Sequence, residues 1–365
     1  MGKQTENRKA EHIRICLNEK AQARKATAGF EDVQFIHRAL PEVDKKKIEL
    51  STTLLGHKFS APLIVGAMTG GTAEATRINA AIAEAVETLQ LGMGVGSQRA
   101  ALENQKLAKT FAVARKKAPT AFLIANIGGI QLVNGCGVKE VKQAVEMIDA
   151  DALAVHLNVL HEAVQPEGQT NFKGVLEKIG EVAGELDKPV IVKETGAGIA
   201  AEDAKKLEKA GVKAIDVGGA GGTSFAAVEY YRSEVNSLKH LLGDVFWDWG
   251  IPTVVSLMET TQTVKLPVIA SGGVRNGTDV AKALALNACL ASISQPALQA
   301  AVKGAKDTEN MLSFLIEELR NVMFLVGVEK VQNLAKVPVV VTGKTAEWLK
   351  TRGFNIENYA KRGAR

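Results

Sequence analysis

Ala152-Leu153-Ala154-Val155-His156-Leu157-Asn158-Val159-Leu160-His161-Glu162-Ala163-Val164-Gln165-Pro166-Glu167-Gly168 starts as an apolar run of strand type. It then delivers imidazoles, amides and carboxylates in quick succession before Pro166 and Gly168 mark a turn. Each of these polar groups would cost about 1 kcal/mol or more if buried without a partner. Packing therefore gives no reason for them, whereas a site at a strand end does. The plain alternative, a loop that is polar by accident, is weakened because the polar groups begin inside the strand, at His156.

Seven further short apolar runs repeat the pattern, at 62–67, 91–95, 121–125, 189–192, 214–217, 266–270 and 288–293. Stretches of helix composition separate most of them, at 73–88, 138–148, 175–186, 200–210 and 277–286. Continuously apolar strands that alternate with helices imply a parallel sheet covered on both sides, and eight repeats favour closure into a (β/α)8 TIM barrel. An open doubly wound sheet is the runner-up. It lacks its glycine fingerprint in context, since Gly92-Met93-Gly94 falls within the second run.

Ahead of the barrel, 7–26 reads as a helix that places Arg8 and His12 on one face with Lys9 beside them. Short strand-like pieces such as Val33-Gln34-Phe35-Ile36-His37 follow and suggest an antechamber. The chain thus divides into an N-terminal extension (1–60) that completes the active site, the barrel (61–305) and a helical tail packed on it (306–365). The interval 218–265, between the sixth and seventh strands, is longer than a crossover needs. It carries Phe225, Tyr230, Tyr231, Trp247 and Trp249, as a lid or an oligomer contact would.

Composition narrows the class. The chain has 365 residues, 46% of them apolar and only 5% aromatic, which suits a soluble α/β protein with an aliphatic core. A net charge of +5, with both signs interspersed, points to small anionic ligands and not to nucleic acid. Cys16, Cys136 and Cys289 show no CxxC spacing, and neither a signal-peptide core nor an 18-residue apolar run is present. A cytoplasmic protein with no membrane partner is expected.

In such a barrel the chemistry sits at the C-terminal strand ends. In order these are Met68-Thr69-Gly70-Gly71, Gly96-Ser97-Gln98-Arg99, Asn126-Ile127-Gly128, the stretch from His156, Lys193-Glu194, Gly218 to Ser224, Ser271-Gly272-Gly273-Val274-Arg275, and Ser294-Gln295. Ser271-Gly272-Gly273, followed by a helix after Asn276, lets backbone N–H groups approach a phosphate; a tight glycine turn is the structural alternative. Lys193 points to the same centre unless a neighbouring carboxylate claims it. Arg8, Lys9, His12 and Arg99 together suit a second strongly negative group such as a diphosphate, although Arg8 and Lys9 also fit a frayed basic terminus.

Taken as a set, Asn7-Arg8-Lys9 with His12, these strand ends, Gln165-Pro166-Glu167-Gly168 and Trp249-Gly250-Ile251-Pro252-Thr253 resemble type 2 isopentenyl-diphosphate delta-isomerase, from about residue 7 to Thr342-Gly343. The resemblance implies an FMN-binding barrel that interconverts isopentenyl and dimethylallyl diphosphate by a 1,3 proton shift. It further implies reduced flavin, Mg2+, NADPH or another reductant, and a homotetramer or homo-octamer. By the same likeness Ala67, Met68, Thr69, Gly70, Ser97, Asn126, Lys193, Thr223, Gly272, Gly273, Val274, Arg275, Ser294 and Gln295 would hold the flavin. Arg8, Lys9, His12, Ser97, Gln98, Arg99, His156, Asn158 and His161 would bind the prenyl diphosphate, and Glu162 would bind Mg2+. His161, Lys193 and Glu229 would be catalytic, with Glu229 near the flavin.

Two positions depart from the family. His161 stands where the family usually has Gln, bringing an imidazole capable of acid–base work to the proton-transfer position. The segment 287–295 lacks the glycine usual near the eighth strand. Another FMN barrel oxidoreductase is one alternative, although none of the three cysteines lies at a strand end. A lapsed flavin- or prenyl-diphosphate-binding paralogue is the other, with His161 as its support.

Overall fold

A computed structural model describes residues 2–363, with side chains from residue 8 onward; the side chain of Asn7 lies outside the described residues. Eight parallel strands close into a barrel: β1 (Leu63–Val65), β2 (Gly92–Gly94), β3 (Phe122–Gly128), β4 (Ala152–Leu157), β5 (Val190–Glu194), β6 (Ala214–Asp216), β7 (Val268–Ala270) and β8 (Leu290–Ile293). The ring is completed where Ala291, Ser292 and Ile293 register against Leu63, Ile64 and Val65. All eight apolar runs thus become the eight strands, in chain order.

Alternation within the strands builds two cores. One set of side chains faces the surrounding helices. The other, with Ile64, Phe122, Ile124, Ala152, Ala154, Ile191, Ala214, Ile269 and Leu290, fills the barrel floor. A hairpin pairing Thr52–Leu54 with His57–Phe59 covers that floor from below. Its Phe59 is fully buried and meets Phe122 edge-on at 5.4 Å. One mouth is therefore plugged by apolar side chains, and the opposite mouth is left for chemistry.

Of the segment expected as an antechamber, Val33–Phe35 pairs antiparallel with Val339–Val341 of the C-terminal segment, while 52–59 closes the mouth opposite the polar strand ends. The part of the extension that reaches those ends is α1 (Gly2–Asn18). The sequence pattern extends this helix to residue 26, but it stops at Asn18. Beyond it the backbone turns to the loop after β6: Ser224 N–H donates to Ala21 O at 2.8 Å and Ala23 N–H to Gly222 O at 2.9 Å. Backbone groups satisfied by a neighbouring loop are no longer available to a helix.

Three short helices complete the mouth: α2 (Val159–Val164), which follows β4, then α3 (Phe225–Arg232) and α4 (Leu238–Val245) from the long insertion. Ser224 caps α3, its Oγ accepting from Ala227 N–H at 3.1 Å. Ile15 and Ala21 are buried against Ala227, Val228 and Trp247, which seats α1 on α3. Among the described residues no helix is long and apolar enough to cross a membrane.

Candidate active site

The open mouth holds a cavity lined by residues from all eight strand ends and by α1. On the β7–β8 side, Gly272 and Gly273 adopt φ of +97° and +72°. A Cβ on Gly272 would lie 2.0 Å from Gly219 O, so only glycine brings this backbone to the cavity wall. Arg275 stands beside it, its guanidinium donating to Gln22 Oε1. The sequence pattern places Gln22 in a helix and gives it no role; its bond to Arg275 follows from the non-helical backbone beyond Asn18.

On the β3–β5 side, His156 Nδ1 donates to Asn126 Oδ1 at 2.7 Å, and Asn126 Nδ2 donates to Val95 O at 3.0 Å. The amide, fixed by Val95, sets the imidazole tautomer. Burial, then the charge of Lys193, pushes His156 down to about 3, so the ring is neutral. Lys193 Nζ donates to Glu194 O at 2.7 Å. Burial pushes the Glu194 carboxyl up to about 7 against three backbone N–H donors, from Thr195, Gly196 and Ala197. Asp216, raised by burial, accepts from Ser271 Oγ below Lys193.

α1 supplies the cationic roof. Lys9 Nζ donates to Ser97 O at 2.7 Å and lies 4.9 Å from the Phe111 ring centroid. Burial, then Arg8, lowers it to about 7. Arg8 reaches Gln165 Oε1 at 3.5 Å, and Arg99 is held by Glu103 at 2.7 Å. The frayed-terminus reading of Arg8 and Lys9 is thereby removed, since both line the cavity.

His12 Nε2 and His161 Nε2 meet one oxygen, Glu229 Oε1, at 2.9 and 2.7 Å. The other oxygen accepts from Arg232 at 2.5 Å. Burial drives the Glu229 carboxyl upward, but the two imidazole bonds outweigh it and hold the group well below the usual carboxylate range. Nearby, the Glu162 carboxylate accepts one bond per oxygen, from Asn158 Nδ2 at 2.8 Å and from Gln169 N–H at 2.7 Å.

The cavity gathers Ala67, Met68, Thr69, Ser97, Asn126, Lys193, Thr223, Gly272, Gly273, Val274, Arg275, Ser294 and Gln295 with Arg8, Lys9, His12, Arg99, His156, Asn158, His161 and Glu162. Three expected residues do not line it. Gln98 is fully buried and turned outward, donating to Ala144 O and accepting from Asn126 N–H. Gly70 is packed so that a Cβ would sit 1.9 Å from Phe111. Glu229, expected beside the flavin, is fully buried behind His12 and His161 and reaches the cavity only through them. Where glycine is usual near the eighth strand, Ser292 and Ser294 line the wall; a Cβ on Gly66 would meet their hydroxyls at 2.8 and 2.4 Å. Phe225, from the aromatic insertion, also lines the cavity, as does Gln131, which carried no sequence signal beyond its place near a strand end.

Two cavity-lining polar atoms, Thr69 Oγ1 and Asn158 Oδ1, are buried without any hydrogen-bond partner. Such atoms are rare in native interiors and suit a polar ligand that completes them. With the glycine pair and Arg275, this wall fits a flavin mononucleotide: a planar polar ring near Thr69 and Lys193, and a phosphate at Gly272, Gly273 and Arg275. The Glu162 carboxylate fits Mg2+, since each oxygen keeps a free lone pair.

A flavin-type barrel with polar groups at every strand end defines the class, and the chain matches the FMN-dependent dehydrogenase family over residues 2–127 and 134–340. Its fold is similar to that of a flavocytochrome b2 variant (TM-score 0.66, 19% identity, 95% of this chain and 85% of the other) and of a mandelate oxidase variant (TM-score 0.63, 20% identity, 90% and 95%). It is 50% identical over 361 residues to the isopentenyl-diphosphate delta-isomerase of Methanosarcina barkeri, covering 98% of each chain. With that of Pyrococcus furiosus it shares 48% over 374 residues, covering 100% of this chain and 93% of the relative. The chain belongs to the isopentenyl-diphosphate delta-isomerase family, and the resemblance read from its sequence is borne out.

Proposed function

We propose that this chain interconverts isopentenyl diphosphate and dimethylallyl diphosphate, a 1,3 proton shift with no net redox change. The observation that carries the reading is one cavity with two anion-binding walls. Gly272, Gly273 and Arg275 form one at β7, and Arg8, Lys9 and Arg99 with neutral His156 form the other over β2–β4. A flavin phosphate and a substrate diphosphate would each have a wall, which brings the alkene over the flavin ring.

Thr69, Lys193, Gly272, Gly273 and Arg275 would hold reduced FMN, which would supply an electron-rich surface, and Glu162 would hold Mg2+, which would neutralise diphosphate charge. The chain's own residues do the rest. Lys193 would bring a positive charge to the flavin edge and favour negative charge there. Arg8, Lys9 and Arg99 orient the diphosphate, and α1 with Phe225 excludes water from the alkene. Glu229 orients both imidazoles through Oε1, which holds the His161 ring at the cavity wall where the alkene would lie. NADPH or another reductant would reduce the flavin, and the enzyme would work in the cytoplasm.

A homo-oligomer, a tetramer or octamer, is part of the same proposal. It is supported by Leu238, Leu241 and Val245, exposed along one side of α4, with Val235 and Trp249 beside them.

The test begins with the absorbance spectrum of the purified chain, which should be that of a flavoprotein. Addition of reduced FMN, Mg2+ and isopentenyl diphosphate should then yield dimethylallyl diphosphate. Binding of both ligands without product would leave a lapsed binding protein, and flavin oxidation with each turnover would mark an oxidoreductase.

A further inference from the structure

We infer that His12, His161 and Glu229 form a nitrogen-rich cation site, built for a borderline divalent metal such as Zn2+ and different in chemistry from the oxygen donor Glu162. The ligand atoms all lie within 4.8 Å of one another. They come from three separate elements, α1, α2 and α3, which makes the convergence a property of tertiary structure and not of local spacing.

Two imidazole nitrogens and one carboxylate oxygen suit Zn2+, whereas Mg2+ takes oxygen ligands almost alone. Three protein ligands leave a fourth position. His12 and His161 border the cavity while Glu229 closes the cluster from behind, so that position opens toward the cavity.

The surroundings match a metal site as well. Arg232 engages Glu229 Oε2 and leaves Oε1 as the single ligating oxygen, the outer-shell support that orients a carboxylate. The charge of Arg232 is balanced by Glu11 at 3.0 Å and Glu167 at 2.9 Å. The Phe225 ring packs 6.2 Å from His12 and 4.6 Å from His161, centroid to centroid, which limits rotation of both.

Without a metal, both rings point an Nε2 at one oxygen and each needs a proton there to bond it. With Zn2+ each Nε2 offers its lone pair instead and the ring keeps its single proton on Nδ1; a ring that was charged releases its second proton to solvent.

The experiment uses the full chain, stripped with a chelator and given no flavin, Mg2+ or substrate, so its outcome is independent of the isomerase reading. Zn2+ is titrated against a chromophoric competitor and Co2+ serves as the spectroscopic probe. One Zn2+ per chain and the strong visible bands of four-coordinate Co2+ are expected. His12→Ala and His161→Gln should each weaken Zn2+ binding about 10- to 100-fold, while Glu162→Gln leaves it unchanged. Circular dichroism checks that the variants fold, and X-ray absorption of the zinc-loaded wild type should show two imidazoles in the first shell. Less than one Zn2+ per wild-type chain, affinity untouched by both histidine changes, or a shell without imidazole would overturn the site.

Discussion

Lys9 shows how one side chain can be read twice. By position it is a basic residue near a terminus; in the fold it is buried, bonded to Ser97 O and lowered to about 7. The empty protein therefore loses this positive charge as pH rises through 7, while a bound dianion would hold the proton on. Affinity for inorganic diphosphate should fall on the alkaline side of pH 7, by up to about tenfold per pH unit. Calorimetric titrations at several pH values check this, and Lys9→Arg should flatten the profile; an unchanged slope in that variant rules Lys9 out. His156 gives the matching statement about stability. Burial lowers its ring from the ordinary 6.5 of an imidazole to about 3, so the unfolded chain takes up a proton that the native state refuses. Stability is full above 6.5 and declines as pH drops from there toward about 3, by an amount on the order of a few kcal/mol. Urea unfolding across that window should show the decline, and His156→Gln should reduce it.

At the scale of elements, α1 is an apolar-anchored roof and the hairpin 52–59 is a floor, and they are separable. Ile15→Asp places a charge in the fully buried seat against Ala227, Val228 and Trp247, and should unseat α1. Diphosphate affinity should then drop at least about tenfold while flavin binding persists, a split that spectra and calorimetry on one sample resolve. If both are kept, α1 is not the roof. Phe59→Ala should cost about 3–5 kcal/mol in urea unfolding with flavin affinity unchanged, since it lies at the other mouth. The barrel strands and their polar ends were legible because period and composition change together at each end. What the pattern missed was tertiary: α1 ends at Asn18 because the loop 222–224 captures the following backbone. Gln98 turns outward because the backbone N–H of Asn126 and the carbonyl of Ala144 claim its amide. Glu229 lies behind the histidines because α3 packs beneath α1. No spacing along the chain encodes such captures.

For the whole molecule, the fold is that of flavin-dependent oxidoreductases, while family membership lies with an isomerase. The shared barrel sets where a cofactor sits, and the cationic roof sets what lies over it. The exposed apolar side of α4 belongs to this scale too. A double change, Leu238→Glu with Val245→Glu, should lower the mass seen by light scattering if α4 is an assembly contact. An unchanged mass would move that contact elsewhere.

The pairing of Val33–Phe35 with Val339–Val341 has a bearing on biogenesis. Val33–Phe35 must wait for a strand made after the whole barrel, so this clasp cannot fasten until Val339–Val341 has been synthesised. A ribosome-stalled chain that ends before residue 339 should remain open to protease near residue 35, and one extended past 341 and freed from the tunnel should resist it.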